Sequence, residues 1–186
     1  MSDSPEPTAG AIVIRRLGVA DAEDYRAFRL TALRETPTAF TSSFSEENGK
    51  PLSATVARLA AYEPGPGALI GAFTPAGELI GSAGLDIPGR AQERHKATLF
   101  GMAVSGTATG HGVGRALVER ILQIAKADGK LYQVALTVSE HNEPARRLYT
   151  SCGFSVWGRE PRAVVVDGTA VAKLHMVHML DSTLMV

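Results

Sequence analysis

The feature that most constrains this chain is a glycine-rich turn set between an apolar run and a long amphipathic pattern. Lys96–Val104 is apolar and of strand length, and Thr109-Gly110-His111-Gly112-Val113-Gly114-Arg115 follows closely. From there Val113, Leu117, Ile121 and Ile124 recur at helical spacing, leaving Arg115, Glu119, Arg120 and Lys126 to water. The pattern predicts a helix that ends at Asp128-Gly129. Glycines ahead of a helix let backbone N–H groups converge, and the helix N-terminus adds roughly half a positive charge. Such a turn suits a phosphate, although a plain tight turn into a helix would use the same residues.

The flanking segments predict strands and helices in alternation. Ala11–Arg16 reads as a strand, and Asp21 stands at a helix N-cap ahead of Tyr25, Phe28 and Ala32, with Pro37 beyond a stop near Glu35. Thr38–Leu52 reads as a polar connection carrying Phe40 and Phe44, and Thr55–Ala61 as a second helix, broken by the prolines and glycines of 63–67. Ala68–Phe73, Glu78–Leu85 and Lys96–Val104 then form an antiparallel meander. After the long helix comes the strand Leu131–Val138. Asn142 caps a further helix with Pro144 in its first turn and Gly153 at its left-handed end. Phe154–Arg159 and two runs around the hairpin turn Asp167-Gly168 complete a β-α-α-β-β-β-α-β-α-β-β order, an α/β or α+β domain over 11–186.

Composition narrows the partners. Nineteen basic residues balance nineteen acidic ones, which gives no reason to expect nucleic acid or an anionic membrane. Cys152 is the single cysteine, in keeping with a reducing, cytoplasmic compartment. Met1–Gly10 lacks a basic, apolar leader and is expected to be a disordered tail, and no apolar run approaches the ~20 residues that span a bilayer. His175 and His178 stand three apart on a predicted strand and would face opposite ways, so no metal site is expected.

The glycine turn fits neither common phosphate fingerprint. No GxxxxGK[ST] string is present. GxGxxG fails from Gly110, where the third position is Arg115, and from Gly112, where it is Leu117. What the turn does resemble is a motif of the GNAT superfamily of acyl-CoA-dependent N-acetyltransferases. That family carries [R/Q]-x-x-G-x-[G/A] at this place, matched here by Gly112 and Gly114. Downstream it carries N-x-x-A-x-x-L-Y-x-x-x-G-F, matched by Asn142, Ala145, Leu148, Tyr149, Gly153 and Phe154. The resemblance extends over about 12–180. One departure stands out: Thr109 replaces the usual Arg or Gln and lacks the long donor.

The resemblance implies a mixed, mostly antiparallel central sheet flanked by helices, with acetyl-CoA as cosubstrate and a primary amine as acceptor. It implies that the strand bearing Met102, Ala103 and Val104 splays from Leu131–Val138, so that its backbone pairs with the pantetheine arm. Thr109, Gly110, His111, Gly112, Val113, Gly114 and Arg115 would hold the pyrophosphate, and Asn142 the pantetheine region, although helix capping also accounts for Asn142. Tyr149 would protonate the departing thiolate; a phenol of pKa ~10 can serve a thiolate of ~8.5. The general base is open. The strand Lys96–Val104 has no carboxylate, which leaves Glu93 and His95 just before it, with His95 the catalytic candidate. Glu46 and Glu47 are candidates for holding a cationic acceptor, in a cleft between 36–52 and 159–168. Cys152, on an inward helical face without an evident base, favours packing over an acyl-enzyme and hence direct transfer in a ternary complex. A homodimer, common among such relatives, would use the apolar stretch Leu174–Leu180. An acyl-CoA-binding module without turnover stays open as an alternative.

Overall fold

The structure is a computed structural model that describes residues 11–63 and 65–180; the tail expected at 1–10 lies outside the described residues. The elements run β1 (Val13–Arg16), α1 (Ala22–Glu35), α2 (Phe44–Asn48), α3 (Leu52–Tyr62), β2 (Ala68–Phe73), β3 (Leu79–Asp86), β4 (Lys96–Val104), α4 (Val113–Asp128), β5 (Gln133–Ser139), α5 (Glu143–Ser151), β6 (Ser155–Val166) and β7 (Thr169–Met179). All seven strands join one sheet in the order β1-β2-β3-β4-β5-β7-β6. Every neighbouring pair is antiparallel except β4 with β5. Helices cover both faces, which explains why all six residues of β2 are buried instead of alternating.

Helix α4 supplies the larger core. Val113, Leu117, Val118, Ile121, Leu122 and Ala125 are buried against β2, β3 and β4, and Tyr149 of α5 and Phe154 join the same cluster. Each large aliphatic side chain so buried contributes about 1.5–3 kcal/mol relative to exposure. On the opposite face Ala22 and Tyr25 of α1 and Leu59 of α3 close over Leu69, Phe73 and Leu79.

Three readings of the sequence are amended. The 38–52 connection contains α2, whose start is a reciprocal cap: Glu46 N–H donates to Ser43 Oγ at 3.2 Å, and Ser43 N–H to the Glu46 carboxylate at 2.9 Å. The runs 154–159 and the one preceding Asp167 are a single strand, β6, kinked between Glu160 and Val164 where Arg162 takes φ 57°. Strand β7 lies inside the sheet, between β5 and β6. Its Leu174 and Met176 are buried in the core, so within Leu174–Leu180 only the other residues, with Met179 55% exposed among them, are open to a partner.

Two departures from regular pairing shape the site. Strands β4 and β5 pair only over Lys96–Thr98 and Gln133–Ala135, then diverge. Against β3, Ser82 pairs with Ala103 but Gly84 with Phe100, so β4 carries an extra residue. Gly101 absorbs it at φ 60°, in the left-handed region where a side chain is strained.

Candidate active site

The divergence of β4 and β5 opens a cleft of about 1440 Å³. Its walls come from α1, residues 39–42, the second half of β4, the turn at 108–115, β5, α5 and Lys173 of β7. No residue of 159–168 lines it, so the second wall expected there is instead β5 with β7. The C-terminal half of β4 pairs with β3 on one side only, and the other edge of Met102, Ala103 and Val104 faces the gap. An extended ligand can add to such an edge through main-chain hydrogen bonds.

At one end of the cleft α4 begins without a side-chain cap, because Gly112 occupies the N-cap at φ 80°. The first-turn N–H groups of Val113, Gly114 and Arg115 therefore have no intrahelical acceptor. A Cβ built on Gly110 or Gly112 would meet nothing within 4 Å, so the space before these donors is open. The arrangement fits the diphosphate of a CoA-type ligand. The Val113 side chain is buried in the core, leaving only its backbone for the ligand. Arg115 extends its guanidinium to Ser151 Oγ at 2.8 Å and to Glu119 at 3.6 Å. The Thr109 hydroxyl donates to the Ser105 carbonyl at 3.2 Å, inside its own loop, and does not replace the missing long donor. His111 is exposed, bonded through Nδ1 to the Thr109 carbonyl oxygen at 3.1 Å, and does not line the cleft.

On the far wall, Asn142 Oδ1 accepts from Ala145 N–H at 3.2 Å, so it caps α5, and the residue also lines the cleft. Tyr149 is buried, its ring edge-on to Phe154 at 5.9 Å, and it borders the cleft with Leu148 and Ala145. Burial, with a smaller push from Cys152, raises its phenol well above the ordinary value, so the group stays protonated at neutral pH. Burial likewise raises the Cys152 thiol, which does not line the cleft.

The structure does not bring His95 to this place. It sits exposed on the turn before β4, its ring 6.2 Å from Tyr132, at the end of the strand remote from the divergence. The expectation failed because a position next to a strand in sequence does not say which end of the strand meets the cleft. Glu93 is paired with Lys96 at 2.9 Å on that same turn. Glu46 is engaged in the α2 cap, and Glu47 bonds Lys50 at 2.7 Å; neither lines the cleft. Missed at the sequence level were Arg29, Arg58 and Lys173, which do. Among the described residues no group of three or more His, Cys, Asp or Glu could hold a metal ion.

The fold is one found among solved acetyltransferases. The chain matches yncA from Salmonella typhimurium, solved with its cofactor acetyl-CoA, at TM-score 0.82 and 20% identity over 95% of this chain and 98% of that one. It belongs to the acetyltransferase (GNAT) family, whose model matches residues 30–154. N-acetyltransferase 8 of Rattus norvegicus is 29% identical over 58% of this chain, and the L-amino acid N-acetyltransferase AaaT of Escherichia coli (strain K12) 25% identical over 55%. The matched regions span 48% and 63% of those two proteins. No helix among the described residues is long and apolar enough to cross a membrane.

Proposed function

We propose that this chain moves an acetyl group from acetyl-CoA to a primary amine of a small molecule or protein, by direct transfer in a ternary complex. The observation that carries the reading is the single cleft in which three features meet: the unpaired edge of β4, the uncapped start of α4 and the Tyr149 side chain. The yncA structure, solved with acetyl-CoA, supports the same ligand here.

In this reading the Met102–Val104 backbone and Asn142 hold the pantetheine arm. The N–H groups from Gly110 to Arg115, with the Arg115 guanidinium, hold the diphosphate. Acetyl-CoA supplies the acyl group as a thioester. Tyr149 keeps a proton on its hydroxyl because burial disfavours the phenolate, and its position on the cleft wall is the support for it as donor to the leaving sulfur. Cys152, protonated and away from the cleft, supports transfer without an acyl-enzyme. A cytoplasmic location belongs to the same proposal.

One observation favours a second reading, an acyl-CoA-binding module without turnover: β4 presents no carboxylate to the cleft that could take a proton from the amine. The test is the release of free thiol from acetyl-CoA in the presence of a mixed panel of amines. Amine-dependent release is expected. Tight binding of acetyl-CoA with no release from any amine would establish the module instead.

A further inference from the structure

Away from the glycine turn the cleft is bordered by Arg29, Arg58 and Lys173. Arg29, on α1, stands beside the bulge of β4, with Nη1 4.0 Å from where a Gly101 Cβ would lie. Its Nε is buried without a hydrogen-bond partner. Glu47 is 3.7 Å from that nitrogen, which is ion-pair range but too long for a hydrogen bond, and Nη2 reaches Ser42 Oγ at a weak 3.4 Å. Arg58 lies over the Phe100 ring at 5.5 Å and also has a buried, unpartnered Nε.

Lys173 stands on the other side of the divergence. It pairs across the sheet with Ser139 of β5 and Glu160 of β6, borders the cleft, and is only 4% exposed. No salt bridge or hydrogen bond engages its ammonium among the described residues. Burial lowers its pKa, with Glu160 opposing, as befits an amine short of a close counter-charge. The carboxylates that border the cleft, Asp24, Glu35 and Glu78, are all exposed.

Lys173 is buried without a close counter-charge and Arg29 has Glu47 only at 3.7 Å, so a ligand anion that bonds to both recovers part of the cost of holding them there. We propose that the acceptor carries its own carboxylate beside the reacting amine, as a free amino acid does, and that Arg29 and Lys173 bind that carboxylate from opposite sides of the cleft. Arg29 offers a planar fork of donors, Lys173 a point charge. Arg58 adds positive potential on the Arg29 side. The same charges disfavour the ammonium form of the acceptor, and so promote the neutral amine in a site whose β4 wall has no carboxylate base. They also reject polycationic acceptors such as polyamines and lysine-rich peptides.

This inference rests on the transferase reading, and its test separates the two. With the full chain and acetyl-CoA, thiol release would be measured for the common L-amino acids, for the carboxamides of those that react, and for spermidine. The acid is expected to exceed its own amide at least tenfold in kcat/KM, mainly through KM. Arg29→Gln and Lys173→Gln should each shrink the acid-to-amide ratio toward one while leaving acetyl-CoA affinity unchanged; Lys173→Arg should retain most of it. Circular dichroism checks that each variant is folded, and the wild-type ratio stands whatever the variants do. Equal rates for acids, amides and spermidine would overturn this inference alone. Absence of turnover with every amine would overturn the transferase reading with it.

Discussion

Tyr149 is the residue on which the chemical reading turns. The residue borders the cleft and its hydroxyl has no hydrogen-bond partner among the described residues, so removal of that hydroxyl should cost little stability. Tyr149→Phe is therefore expected to lower kcat by about 10²-fold with little change in melting temperature, the size typical of losing a positioned proton donor. Steady-state kinetics with acetyl-CoA varied would show it, and an unchanged kcat would remove Tyr149 from the chemistry. A residue of the opposite kind is Asp21, which accepts from Arg15 at 2.7 and 2.8 Å and from Gly18 N–H at 2.9 Å. The hydrogen bonds from Arg15, the largest cause, hold its carboxyl below the usual range in the folded state. Its contribution is thus present above the unfolded value of ~3.9 and disappears as pH falls through the lower folded value. With Arg15 half exposed the pair is worth about 0.2–1 kcal/mol. Urea midpoints should separate wild type from Asp21→Asn at pH 7 and converge near pH 2. Tyr149 was legible because the motif around it is dense. Arg29 and Lys173 were not: one lies in an amphipathic helix and the other in an apolar strand, and nothing in either local pattern says that the two approach one cleft.

At the scale of elements, periodicity and caps carried most of the information. Of the stripe Val113, Leu117, Ile121 and Ile124, the first three are no more than 1% exposed and Ile124 is half-buried. Leu117→Ala should destabilise by about 2–5 kcal/mol, read as a lowered urea midpoint. Asn142 was expected as a cap and is one, so Asn142→Ala should cost about 1 kcal/mol from the lost Ala145 bond alone. If Asn142 also contacts acetyl-CoA, the same variant should raise KM for acetyl-CoA. A stability loss with KM unchanged would leave it as a cap only. Helix α2 escaped notice because it has five residues, although Ser43-Phe44-Ser45-Glu46 spells its capping box in the sequence. The kinked β6 read as two strands because its middle, Gly158-Arg159-Glu160-Pro161-Arg162, lacks alternating apolar residues.

The whole molecule is organised around two neighbouring strands that start parallel and then part. That divergence is a property of register and twist between β4 and β5, whose partners such as Lys96 and Gln133 are distant in sequence, and neither strand announces it alone. It became an expectation only through the resemblance carried by the two motifs that flank the gap. Likewise, no local pattern shows that the chain enters the sheet interior with β7 and leaves β6 at the edge, with Trp157 65% exposed. The same long-range geometry decides the site: it unites the start of α4, the free edge of β4 and Tyr149, and it leaves His95 on the far turn.

A cleft of this geometry is built for acetyl-CoA. Calorimetric titration of acetyl-CoA against wild type and Gly112→Glu, with ATP and NAD as controls, tests it most directly. Glu at this left-handed N-cap strains the turn and sets a carboxylate before the helix donors. Micromolar binding of acetyl-CoA to wild type is expected, with a matching rise in melting temperature, and loss of both in a folded Gly112→Glu protein. A folded wild-type protein that ignores acetyl-CoA would contradict it, and the glycine turn would then be only a turn.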